Sequence, residues 1–100
     1  MDSYSVIDAE NNEIHTDVCL HPGEIICMEL EARGIMKANF ARQLGLSPSH
    51  FSELLHAKRN INASIAVQLE ILLGIPAEYW MRVQVSYDLF IERNKRRMAA

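Results

Sequence analysis

A chain of 100 residues, 49% hydrophobic and 23% charged, has the composition of one ordinary globular core, which excludes a wholly disordered chain. No apolar run approaches the roughly 18 residues that a membrane span needs, and the acidic first residues (Asp2, Asp8, Glu10) lack the basic start and apolar stretch of a signal peptide. The net charge of −3 is unlike the basic balance of most nucleic-acid binders, but it hides a split: residues 1–36 carry eight acids and one base, residues 37–100 five acids and nine bases.

Residues 1–20 form an acidic N-terminal arm. Tyr4 to Ile7 and Ile14 to Thr16 flank a polar stretch centred on Asn11-Asn12, so the arm is read either as flexible or as a small hairpin. Beyond it, proline and glycine alternate as the start and stop signals of helices. A first helix is expected from Pro22 to about Arg33, closed by Gly34, with Ile25, Ile26, Met28 and Leu30 apolar. A second covers about Lys37 to Leu44 and stops at Gly45; a third is capped by Ser47, has Pro48 in its first turn and runs to about His56. The fourth runs from the cap candidate Asn62 to Leu73, with Ile65, Ala66, Leu69, Leu72 and Leu73 at helical spacing. The fifth begins at Pro76, carries Trp80, Val83, Tyr87 and Phe90, and leads into a basic tail over residues 94–100. The domain proper spans residues 21–93.

The second and third helices are the informative pair, a helix-turn-helix over about residues 37–56. Ala41 leaves clearance for two backbones to cross, Gly45 permits a left-handed turn, and Phe40, Leu44, Leu46, Phe51 and Leu54 converge on one core. The third helix would turn its N-terminal half outward, so that Pro48, Ser49, His50, Ser52 and Glu53 are the candidates for contact with base edges in a major groove. Lys37, Ser47, His56, Lys58, Arg59 and Asn60 would ring it as phosphate contacts.

Several further segments carry a family resemblance. His21-Pro22-Gly23-Glu24-Ile25 opens the match and Ala57-Lys58-Arg59-Asn60-Ile61 follows the helix-turn-helix. Glu78-Tyr79-Trp80-Met81, Gln84 and Tyr87-Asp88-Leu89 close it. Over about residues 21–90 the sequence resembles the HigA-type antitoxins of bacterial toxin–antitoxin modules, within the XRE-type helix-turn-helix family of phage-type repressors. The resemblance implies an all-α, five-helix, lambda-repressor-like domain. It also implies a homodimer that binds double-stranded DNA at a palindromic operator of its own promoter, and a cognate toxin partner, a RelE-like mRNA-cleaving ribonuclease. The acidic first 36 residues are expected to contribute to the toxin-binding surface.

Three positions depart from the family pattern. Met36 stands where a Ser or Thr cap is usual, His56-Ala57 replaces the usual Asn-Gly, so that either Ala57 sits in strain or the third helix runs on, and Glu53 brings a negative charge to the groove. They leave open a protein-interaction module that has lost DNA binding, beside a free-standing repressor without a toxin. Cys19 and Cys27 give no disulfide framework, so free thiols and a cytoplasmic location are expected. With His15 and His21 they match no compact zinc spacing. Ser47, Ser49, His50, Ser52 and Glu53 crowd one helix without an oxyanion turn, so neither cofactor, metal nor enzymatic activity is expected. Trp80 and Tyr87 are read as packing residues, and Cys27 as a buried one.

Overall fold

The computed structural model describes residues 19–99, and within them the chain folds into five helices: α1 (Pro22–Arg33), α2 (Lys37–Leu44), α3 (Pro48–Leu55), α4 (Ala63–Leu73) and α5 (Ala77–Ala99). This is the all-α helix-turn-helix architecture expected from the sequence. Of the arm or hairpin expected over residues 1–20, residues 1–18, His15 included, lie outside the described residues.

The helix starts follow the cap chemistry. Ser47 Oγ accepts the His50 N–H at 3.1 Å, and Asn62 Oδ1 accepts that of Ile65 at 2.9 Å. Met36 offers no side-chain cap, yet α2 begins at Lys37, with the Phe40 N–H bonded to the Met36 carbonyl at 3.1 Å. One start differs from the reading. Helix α5 begins at Ala77, because the Pro76 carbonyl accepts the Tyr79 and Trp80 N–H groups and Glu70 of α4 reaches over to accept the Ala77 N–H at 2.7 Å.

Helix α4 packs against α5, α1 against α3 and α5, and α2 against α3 and α4. Between them lies a core built from Ile26, Leu30, Phe40, Phe51, Leu54, Leu69, Leu73 and Trp80, with Ala41 and Ala66 fully enclosed where helices come close. Phe40 and Phe51 join the helix-turn-helix through rings 6.0 Å apart, and Trp80 is completely buried, as its packing role requires. Cys27, read as buried, is instead half-buried on α1, where Met28 beside it is half-exposed.

The start of α1 is bound tightly to the end of α3. A Cβ placed on Gly23 would stand 1.9 Å from the Leu54 carbonyl oxygen, so only glycine admits this approach. Beside it, His21 closes a reciprocal capping box: its Nδ1 accepts the Gly23 N–H at 2.9 Å, and Glu24 accepts the His21 N–H at 2.7 Å. The His-Pro-Gly-Glu motif is thus a helix start fitted against the back of α3. It holds that helix in place.

Candidate nucleic-acid interface

Helix α3 lies across the surface with its apolar side, Phe51 and Leu54, in the core. Of the five candidate base contacts, Pro48, Ser49 and Ser52 are exposed, and His50 and Glu53 are half-buried. The first turn has little spare hydrogen-bonding capacity. Pro48 has no N–H, that of His50 goes to Ser47 Oγ, and that of Phe51 goes to the Ser47 carbonyl at 2.9 Å. The Ser49 N–H is left at the positive end of the helix dipole, the position that suits a phosphate oxygen. The Ser47 oxygen accepts the cap bond, which leaves its O–H to donate.

The surrounding candidates fall into two groups. Lys37, at the start of α2, is brought to α3 across a shallow groove of about 260 Å³, whose other walls include Pro48, Ser52 and His56. His56 is held in place by donation from its Nδ1 to the Ser52 carbonyl at 2.8 Å. At the C-terminal end of α3 the chain turns through Ala57, which adopts φ 62°, and runs on as Lys58, Arg59 and Asn60, all exposed. Of the two outcomes open at Ala57, strain or a longer helix, the chain takes the strained one.

Two contacts at this end are absent from any reading of motifs. Arg59 turns back on Glu53: its Nε and Nη2 lie 3.0 and 2.9 Å from Glu53 Oε1. The carboxylate that a groove-facing position would present to DNA is therefore neutralised within the same surface, and its cation is drawn toward α3. Asn60 is exposed, but its Oδ1 is committed to Gln84 of α5, from which it accepts at 3.1 Å. Neither pairing leaves a sequence signal, since the partners lie 6 and 24 residues apart and meet only because the Ala57 turn reverses the chain.

Among the described residues His21 is the one buried histidine, with no exposed surface, and its ring meets Tyr87 edge-on at 4.8 Å. Burial holds its pKa below the ordinary 6.5, while the Asn60 side chain and the negative charges of Glu24 and Asp88 pull the other way. It is therefore neutral at neutral pH. No helix among the described residues is long and apolar enough to cross a membrane.

The architecture and several sequences point to the same relatives. The chain is 36% identical over 84 residues to virulence-associated protein I of Dichelobacter nodosus, covering 83% of this chain and 75% of that one. Among solved structures, a candidate antidote protein of a plasmid maintenance system from Nostoc punctiforme superposes with a TM-score of 0.76 at 32% identity, over 81% of this chain and 89% of the other. The Pseudomonas aeruginosa antitoxin HigA, solved with the higBA promoter, superposes with a TM-score of 0.69 at 30% identity, over 79% and 89%. The chain belongs to the HigA-type antitoxin family of helix-turn-helix proteins. No protein-family model matches it. Family membership makes the exposed half of α3 the candidate for a DNA-facing surface, and among the marks of the family His21, Trp80 and Gln84 are buried in the body of the domain.

Proposed function

We propose that the chain is a DNA-binding antitoxin that represses its own operon as a dimer on a palindromic operator and neutralises a RelE-like, mRNA-cleaving toxin. The observation that carries the DNA half is the exposed N-terminal half of α3, flanked by Lys37 on one side and by Lys58 and Arg59 on the other. Ser49 and Ser52 read base edges through their hydroxyls, and Pro48 offers apolar contact to a thymine methyl. His50 and Glu53 stand deeper on the same face. The Ser49 N–H, the Ser47 to His50 turn and the ring of Lys37, His56, Lys58, Arg59 and Asn60 hold the DNA backbone. A two-fold dimer would set two copies of α3 one DNA turn apart, about 34–36 Å, which is why a palindrome is expected. The family's antitoxins and the promoter complex of the Pseudomonas relative support this reading.

The toxin half is supported by family membership and by charge. Residues 1–36 carry most of the chain's acids, and on α1 Glu24 and Glu31 are exposed, suiting a protein that is basic where it holds RNA. The test has two arms. Purified protein should retard the DNA upstream of its reading frame with steep salt dependence; Arg59→Ala should weaken all sequences alike, and Ser49→Ala should shift the sequence preference. Absence of retardation at low salt overturns the repressor reading. The product of the adjoining reading frame should be toxic alone, co-purify with this chain and cease to cleave mRNA when bound. An unrelated neighbour leaves a free-standing repressor.

A further inference from the structure

Of the family-marking residues of α5, Trp80 belongs to the apolar core and Tyr87 meets His21, while Gln84 serves neither the core nor the DNA face and reaches one distant segment. Gln84 is almost fully buried, at 3% exposure. Its Oε1 accepts the Ile61 N–H at 2.8 Å, and its Nε2 donates to Asn60 Oδ1 at 3.1 Å and to Asp88 Oδ1 at 2.9 Å. The orientation of this amide is fixed by chemistry: the Ile61 N–H can only donate and the Asp88 carboxylate can only accept, so oxygen faces the first and nitrogen the second.

The segment it holds joins α3 to α4. It is fastened at its start by the turn at Ala57, where the Lys58 N–H bonds the Glu53 carbonyl at 2.8 Å, and at its end by Gln84. Between the fasteners stand Lys58 and Arg59, two long exposed cations on a backbone with one apolar anchor, Ile61. We infer that Gln84 is a positioning residue for DNA binding: from α5 it fixes the Asn60–Ile61 backbone so that Lys58 and Arg59 stand in register with the DNA at the end of α3. Methionine in its place would leave the Ile61 N–H buried without an acceptor. Glutamate would keep the acceptor but set a second carboxylate against Asp88. The inference rests on the reading of Lys58 and Arg59 as phosphate contacts, and the experiment separates the two.

The full chain and its Gln84→Met, Arg59→Ala and doubly substituted forms are titrated against two 30-base-pair duplexes, one from upstream of the reading frame and one of mixed sequence, over a salt series at a temperature where all are folded. Gln84→Met should weaken both duplexes by roughly tenfold and flatten the slope of log K against log salt by about one to two units, the loss of one or two phosphate contacts. Arg59→Ala should cost less in that background than alone. A lower melting temperature with an unchanged salt slope and a full Arg59→Ala effect overturns the inference, because a merely structural glutamine would behave so. If Gln84→Met does not fold, Gln84→Glu, which retains the Ile61 acceptor, should give the flattened slope. Asp88→Asn in that background, by restoring an amide opposite the new carboxylate, should recover the slope; failure to do so counts against the mechanism. An Arg59→Ala form that binds as the parent does overturns the phosphate reading itself, and the inference with it.

Discussion

Replacing Ala57 with glycine is expected to stabilise the protein. Helices α1, α2 and α3 end in one kind of turn, in which two N–H groups reach back to two carbonyls of the last turn. The pairs are Ile35 to Leu30 and Gly34 to Glu31, Leu46 to Ala41 and Gly45 to Arg42, and Lys58 to Glu53 and Ala57 to Leu54, all between 2.8 and 3.3 Å. The turning residue is left-handed in each, at φ 68°, 76° and 62°, but only the third bears a side chain. An L-residue in that conformation costs about 1–2 kcal/mol relative to the right-handed one, and glycine avoids the cost. Glycine also gains freedom in the unfolded chain, which returns about 0.4–1 kcal/mol. The net gain is about 0.5–1 kcal/mol, which in a domain of this size raises Tm by roughly 2–8 °C. Thermal unfolding followed by circular dichroism measures it, with Ala57→Val as the converse, since a β-branched side chain tolerates the left-handed region worst. A glycine variant melting at or below the parent, with the valine variant no worse, would refute the reasoning.

Three further substitutions examine other parts of the argument. Gly23→Ala should destabilise by at least the ~1–3 kcal/mol typical of overpacking, read as a lower urea midpoint, because the atoms its Cβ meets are backbone of Leu54 and Leu55; an unchanged midpoint would mean that α1 does not sit on α3 this closely. His21 is held neutral by burial, so below pH 6.5 the unfolded chain binds a proton that the folded chain resists. Its contribution is whole above that pH and is lost as pH falls, and His21→Asn, which keeps a capping oxygen, should flatten the acid side of the stability profile; parallel curves for the two proteins would exclude this. Glu53→Gln removes a negative charge from the proposed DNA face and releases Arg59, so affinity for mixed-sequence DNA should rise several-fold while stability moves by no more than about 0.5 kcal/mol, the pair being half-exposed. No gain in gel retardation would show that Glu53 does not limit binding.

The helix boundaries were legible because the residues that set them act over three or four positions. Pro22, Pro48, the Ser47 and Asn62 caps and the glycines at 34, 45 and 74 each close a local hydrogen bond or a local turn, and all of it can be read along the chain. The α3 surface was legible for the same reason, since helical spacing alone sorts Phe51 and Leu54 inward and Pro48, Ser49 and Ser52 outward. What stayed hidden depends on contacts between distant segments. Gln84 and Ile61 are 23 residues apart, and His21 and Tyr87 belong to opposite ends of the domain. As sequence they were family marks without a mechanism. Ala57 lies between these cases: its place in the pattern raised strain or an extended helix, and only the tertiary position of Lys58 and Ile61 selects the strained turn.

Charge was legible by segment but not by place. The nine bases of residues 37–100 are not nine contacts for DNA. Lys95 and Arg96 pair with Glu92 near the far end of α5, and Arg59 pairs with Glu53. Lys37 and Lys58 remain beside α3 with no ion pair among the described residues, so on the proposed reading that face offers the DNA backbone two ready cations and a third, Arg59, that must first leave its carboxylate. Two or three phosphate contacts give a salt slope of only about two to three units and weak binding at physiological salt. On the proposed reading, two protomers binding together would double those contacts and make the spacing of the half-sites part of the recognition. The modest charge of the chain and the proposed palindrome thus support each other, since few cations beside one α3 favour a site that two copies of α3 share.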